Sequence, residues 1–279
     1  MDANLASSIE LDLLHAEDGP LLYAVADLRG TVVRSGQHQH ARGQLFGSNA
    51  GLLSLMSETA GFVVPPDYAI WIPPGVPHGA RSHGPFAGWT AYIAPSACAG
   101  LPDTVLVGAL SPFLKQAVLK AAHWPEKREL RPPQINLTRV ILDEIAALTP
   151  MPLSLPLPRD PRARKIARAI ADDPAAKMDL AGWGVWAGIA PRTLTRRFID
   201  ETGMSFSAWR QRACLIRALE RIAAGNPITH VALDVGYDSL SAFIAMFRRE
   251  LGVTPARYFA TARPETPAQR GANSGFSTL

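Results

Sequence analysis

The sequence is poor in cysteine. Cys98 and Cys214 are its only thiols among 279 residues, 116 positions apart and without a Cys-x-x-C neighbour. That excludes a disulfide framework and a cysteine zinc finger, and it suits a reducing compartment. Long apolar runs are lacking as well. No stretch of about 18 uncharged apolar residues occurs, so no membrane span is expected. The N-terminus, Met1-Asp2-Ala3-Asn4-Leu5, has no basic n-region, so no secretory signal peptide is expected. Charged residues make up 19% against 47% apolar, which is a globular profile and not a disordered one. The length suggests about two domains.

The net charge of +4 hides an asymmetry. Residues 1–158 carry 10 Lys and Arg against 13 Asp and Glu, and residues 159–279 carry 18 against 11. An acidic half of −3 is thus joined to a basic half of +7, a cue for a polyanion-binding module attached to something else. The basic half holds 16 Arg and 2 Lys. Arginine forks bidentately to phosphate and to guanine edges, although it is also common on solvated faces.

The two halves meet at Pro150–Pro161, where five prolines in twelve positions predict a semi-rigid linker over 150–161. Before it, helices are expected over Pro112–Ala122 and Gln134–Leu148, a packing or dimerisation segment within 101–149. Residues 1–100 read as a β domain. Short apolar stretches at Leu21–Val25, Leu52–Met56, Phe62–Val64 and Ala69–Ile72 alternate with turn residues, as in an all-β sandwich or barrel. After the linker, residues 162–260 read as all helix: Arg162–Ala171, Asp179–Gly188, Pro191–Thr202, Phe206–Gly225, Ile228–Val235, Ser239–Leu251 and Pro255–Phe259. The Pro-, Gly-, Ser- and Thr-rich tail, 261–279, is expected to be disordered.

The basic half contains an internal repeat. Gly188 pairs with Gly236 at an offset of 48; after one inserted residue, Leu194 pairs with Phe243, Phe198 with Phe247 and Gly203 with Gly252 at 49. Each copy is helix, glycine turn, helix, the helix-turn-helix pattern. Pro191 opens one second helix, and Asp238 or Ser239 caps the other. Leu194 with Phe198, and Phe243 with Phe247, are i,i+4 pairs that turn one face inward. The outward face then carries Arg192, Thr193, Thr195 and Arg196 in the first unit. In the second it carries Ser239, Ser241, Ala242, Ala245 and Arg249. A recognition helix needs such a face: Arg192 and Arg196 for base edges, Ala242 and Ala245 for thymine methyls, Ser241 for a phosphate or a base. The bland alternative is a helical bundle with solvated arginines.

Residues 160–259 resemble the DNA-binding domain of AraC/XylS-type regulators, with two helix-turn-helix units joined by a long helix. The second unit carries the family's small residue (Ala232), Gly236-Tyr237, Ser241, Phe243, Phe247, Gly252, Pro255 and Tyr258. In the first, Gly184 replaces the usual Ala, and Ala190 the common Ser N-cap. The resemblance implies double-stranded operator DNA as partner, a small-molecule effector, RNA polymerase as a second partner, a homodimer, and a cytoplasmic activator or repressor.

The acidic half holds His38-Gln39-His40, which period-two alternation places on one face of a strand. Gln44 follows, and Ile72-Pro-Pro-Gly-Val-Pro-His78 supplies a further histidine. This spacing resembles the cupin barrel, in which such residues converge on one interior point. That resemblance implies a ligand set of His38, His40, Gln44 and His78 for one divalent transition metal, Zn, Ni or Fe. The alternative is a metal-free effector pocket. His15, His83, His123 and His230 lack partners in the pattern. Trp71, Trp89, Tyr68, Tyr92 and Phe62 would line a pocket or fill a core.

The expected protein is therefore a non-enzymatic, sequence-specific transcriptional regulator. A cupin-like β-barrel would sense a ligand or metal, and an all-α domain would read DNA. The rivals are a metal-dependent cupin enzyme fused to a DNA-binding domain, and an RNA-binding or nucleoid protein.

Overall fold

Alternation of large apolar side chains folds the first half into two sheets. The computed structural model describes residues 14–16, 18–30, 34–124 and 130–260. Its strands are β1 (Leu22–Gly30), β2 (Gly43–Ala50), β3 (Leu53–Ser57), β4 (Ala60–Val64), β5 (Tyr68–Ile72), β6 (His78–Ser82), β7 (Phe86–Ile93), β8 (Leu106–Ala109) and β9 (Ser154–Pro156). They form a five-stranded sheet, β1-β7-β2-β5-β8, and a four-stranded sheet, β6-β3-β4-β9, with every paired strand antiparallel.

The five-stranded sheet is buried on both faces. Phe46, Ile70 and Ile72 point toward Leu53, Leu55 and Val63 of the other sheet. Their neighbours Leu45, Ala69 and Trp71 point the opposite way, onto helices α1 (Pro112–Ala121) and α2 (Pro132–Ala146). Each fully buried Leu, Ile or Phe contributes about 1.5–3 kcal/mol. β8 is the edge strand of this sheet although it lies beyond residue 100.

The second half is helical: α3 (Pro161–Asp172), α4 (Leu180–Ala187), α5 (Pro191–Thr202), α6 (Phe206–Ala223), α7 (Ile228–Asp234), α8 (Leu240–Leu251) and α9 (Pro255–Ala260). Asp160, Asp179, Ser205 and Ser239 accept backbone N–H bonds at the starts of α3, α4, α6 and α8. Leu194, Phe198, Trp209, Phe243 and Phe247 are fully buried beneath them.

The proline-rich stretch expected as a semi-rigid linker over 150–161 is part of the sheet: Ser154–Pro156 pairs with β4, and Leu153, Leu155 and Leu157 are buried. Proline is tolerated there because β9 is an edge strand. His38 and His40 do not lie on a regular strand. They sit in the extended segment before β2, tied by a single His38–His78 bridge. The tail 261–279 lies outside the described residues.

Candidate functional site

Each helix pair turns at a glycine that needs a left-handed backbone: Gly188, φ 67°, between α4 and α5, and Gly236, φ 90°, between α7 and α8. Leu194 and Phe198 hold α5 inward, while Arg192 and Arg196 are exposed. Thr193 and Thr195 are half-buried, and Thr195 Oγ1 donates to the Pro191 carbonyl at 3.1 Å. On α8, Phe243, Met246 and Phe247 face inward. Ser239, Ser241, Ala242, Ala245 and Arg249 are exposed. Ser239 Oγ is engaged as the cap, 3.2 Å from the Ala242 amide, and Arg249 Nε donates to Glu250 at 3.2 Å. Arg248 is also exposed in the last turn of α8, a position the inward pairs alone did not single out.

The departures in the first unit have local consequences. Ala190 leaves α5 without a side-chain cap, so Pro191 alone starts it. At Gly184 a Cβ would stand 2.6 Å from the Ile189 carbonyl oxygen, so this turn has no room for alanine as it stands.

A second cluster lies in the sheet half. One ring nitrogen from each of His38, His40 and His78 falls within 4.8 Å of the others. The Nδ1 atoms face the carbonyls of Gly36 (2.9 Å), Arg42 (2.6 Å) and Val76 (2.8 Å). A carbonyl only accepts, so each Nδ1 carries the proton and each Nε2 keeps its lone pair. Burial lowers the pKa of His40 and brings that of His78 down to about 4, against partial opposition from these carbonyl bonds. Gln44 Oε1 lies 3.2 Å from His40 Nε2, while its amide donates to Thr90 Oγ1 and Tyr92 OH at 3.0 and 3.2 Å. Two acceptors thus face each other. Turning the amide over, or a cation between them, would relieve the contact.

A helix-turn-helix domain family matches residues 186–261. The HTH-type transcriptional regulator NimR of Escherichia coli (strain K12) is 34% identical over 230 residues, 82% of this chain and 84% of its own. The chain belongs to the AraC family. RipA of Corynebacterium glutamicum, also an HTH-type transcriptional regulator, is 37% identical over 105 residues, 37% of this chain and 31% of its own. The structure of ToxT from Vibrio cholerae aligns with 87% of this chain and 98% of its own at 11% identity and a TM-score of 0.39.

This AraC-family chain is accordingly a DNA-binding transcriptional regulator, with an antiparallel, sheet-rich N-terminal half and a helical C-terminal half. No helix among its described residues is long and apolar enough to cross a membrane. Two groups of polar residues escaped the sequence reading. Thr90 and Tyr92 on β7 hold the Gln44 amide. His83, outside the histidine pattern, stands 2.8 Å from Ser54 Oγ and 3.5 Å from Glu220 of α6. No local pattern marks contacts between residues so distant in sequence. Trp71 and Trp89 are fully buried core and not pocket lining.

Proposed function

We propose that this AraC-family regulator binds one divalent transition metal, Zn, Ni or Fe, through His38, His40, His78 and Gln44. Occupancy of this cupin-like site would set how the C-terminal half reads its operator. The observation that carries the reading is the shared orientation of three imidazoles. Each has a carbonyl on Nδ1, and one ring nitrogen of each lies within 4.8 Å of the others. Carbonyls bound to the far nitrogen are how proteins hold metal-ligating histidines. A bound ion would supply a positive charge that stabilises one arrangement of these rings and of Gln44 Oε1. The neutral donor set holds a divalent cation less tightly than one with a carboxylate, and it favours metals suited to imidazole. Among the described residues no Asp or Glu joins the cluster, so its donors are all neutral.

DNA reading is assigned to Arg192, Thr193, Thr195 and Arg196 of the first unit, and to Ser239, Ser241, Ala242, Ala245 and Arg249 of the second. The working assembly is a homodimer on double-stranded DNA, meeting RNA polymerase and responding to a small effector. The metal assignment is tested by element analysis of the purified chain. Stoichiometric metal lost in the His38→Ala/His78→Ala double variant supports it; metal retained by that variant overturns the ligand set. Turnover of a small substrate by the metal-loaded chain would instead favour the fused-enzyme alternative.

A further inference from the structure

A cleft of about 820 Å³ lies between the four-stranded sheet and helices α3 and α6. Its size falls in the range of small-molecule sites. Arg34 and Arg81 line it from the sheet side, and Arg168 of α3 and Arg217 of α6 from the other. The carboxylates among its lining residues are Asp172 and Glu220, so arginine outnumbers them by two to one. Glu220 is already committed to Ser54 and Arg217. Arg34, Arg81 and Arg168 form no ion pair with the described residues, and Arg217 Nε is buried without an acceptor. Between these guanidinium groups the floor is apolar: Phe62 and Ile216 are buried, and Met56 is 49% exposed inside the concavity.

We propose that this cleft binds a small organic anion, a carboxylate or sulfonate on an apolar body. Its head would pair with the arginines, which fork to planar oxyanions and repel one another when unpaired. Its body would cover Met56 and Phe62. The lining comes from both halves of the chain, so the full set of contacts exists only while they are docked. Occupancy therefore stabilises the docked arrangement by its differential affinity. This deepens the reading of the chain as a ligand-responsive regulator, and it rests on none of the metal-site histidines.

The test uses the full chain and two fluorescent naphthalenes, the anionic 8-anilinonaphthalene-1-sulfonate and its uncharged analogue N-phenyl-1-naphthylamine. Saturable 1:1 binding of the anion is expected, about tenfold or more tighter than the neutral probe. Arg81→Gln and Arg217→Gln should each weaken the anion about fivefold or more with the circular dichroism unchanged. Arg168→Gln, on the exposed surface of α3, serves if Arg217→Gln unfolds. The His38→Ala/His78→Ala variant should keep wild-type affinity, which separates failure here from failure of the metal reading. Equal affinity for the two probes would reduce the cleft to an apolar surface and overturn the anion. Unchanged affinity in the arginine variants, or loss only in the histidine variant, would overturn the location.

Discussion

Ser54 Oγ on β3 donates to Glu220 Oε1 on α6 at 2.7 Å, tying the four-stranded sheet to the long helix between the two DNA-reading units. Because the Ser54 proton goes to Glu220, its oxygen accepts from His83 Nε2 at 2.8 Å. Arg217 Nη1 binds the other Glu220 oxygen at 3.1 Å. A hydroxyl, an imidazole and a guanidinium thus converge on one carboxylate at the junction.

Ser54→Ala should lower the stability of the full chain by about 1 kcal/mol, and Glu220→Ala by about 2–3 kcal/mol, because the second leaves the Arg217 guanidinium and the Ser54 hydroxyl without their acceptor. The double variant should show coupling of about 0.5 kcal/mol or more in urea unfolding. Coupling near zero would mean the two groups do not act together.

Acid should loosen the metal-free protein. Burial holds His83 below its ordinary value; Glu220 opposes this, while Arg81 and Arg217 reinforce it. His78 titrates at about 4. Folding therefore favours the neutral rings. Their stabilisation is complete above pH 6.5 and is lost as pH falls below it, for His78 down to about 4, on the order of 3 kcal/mol for that group. Melting temperature should fall between pH 7 and 4.5, less steeply in His78→Gln. A rise over that interval would contradict the assignment.

Arg192→Ala should reduce discrimination at one operator position by about 1–3 kcal/mol if the side chain reads a base. Competition binding across operator variants measures this. An equal loss on all sequences, with a shallower salt dependence, would make Arg192 a phosphate contact.

Gly184→Ala should destabilise the first helix-turn-helix unit by about 1–3 kcal/mol, since its Cβ would meet the Ile189 carbonyl oxygen. Hydrogen exchange across α4 and α5 would localise the effect. Wild-type protection there would mean the turn can shift to accept the methyl.

The C-terminal half was legible because its signals are local. Gly188, Gly236, Pro191 and Ser239 mark turns and starts within a few residues, and the Leu194/Phe198 and Phe243/Phe247 pairs mark the inward faces. The sheet half was less so. β2 contains Gly43, Gly47, Ser48 and Asn49, poor strand formers, yet the indole rings of Trp71 and Trp89 occupy the space that side chains at Gly43 and Gly47 would take. β9 was hidden by its prolines, and its pairing to β4 is set by strands far away in sequence. The spacing of His38, His40, Gln44 and His78 named residues that do come together, but the carbonyls that orient them belong to turns no periodicity reveals. Ser54 and Glu220 are 166 residues apart, beyond the reach of any spacing rule.

The most direct test of the account is operator affinity measured with and without one equivalent of the metal the purified chain retains, at fixed salt, for wild type and for His78→Ala. The operator itself would come from genome-wide binding-site sequencing. Metal should change wild-type affinity about tenfold or more and leave the variant unmoved. The same affinity with and without metal in wild type, or the same shift in His78→Ala, would contradict it.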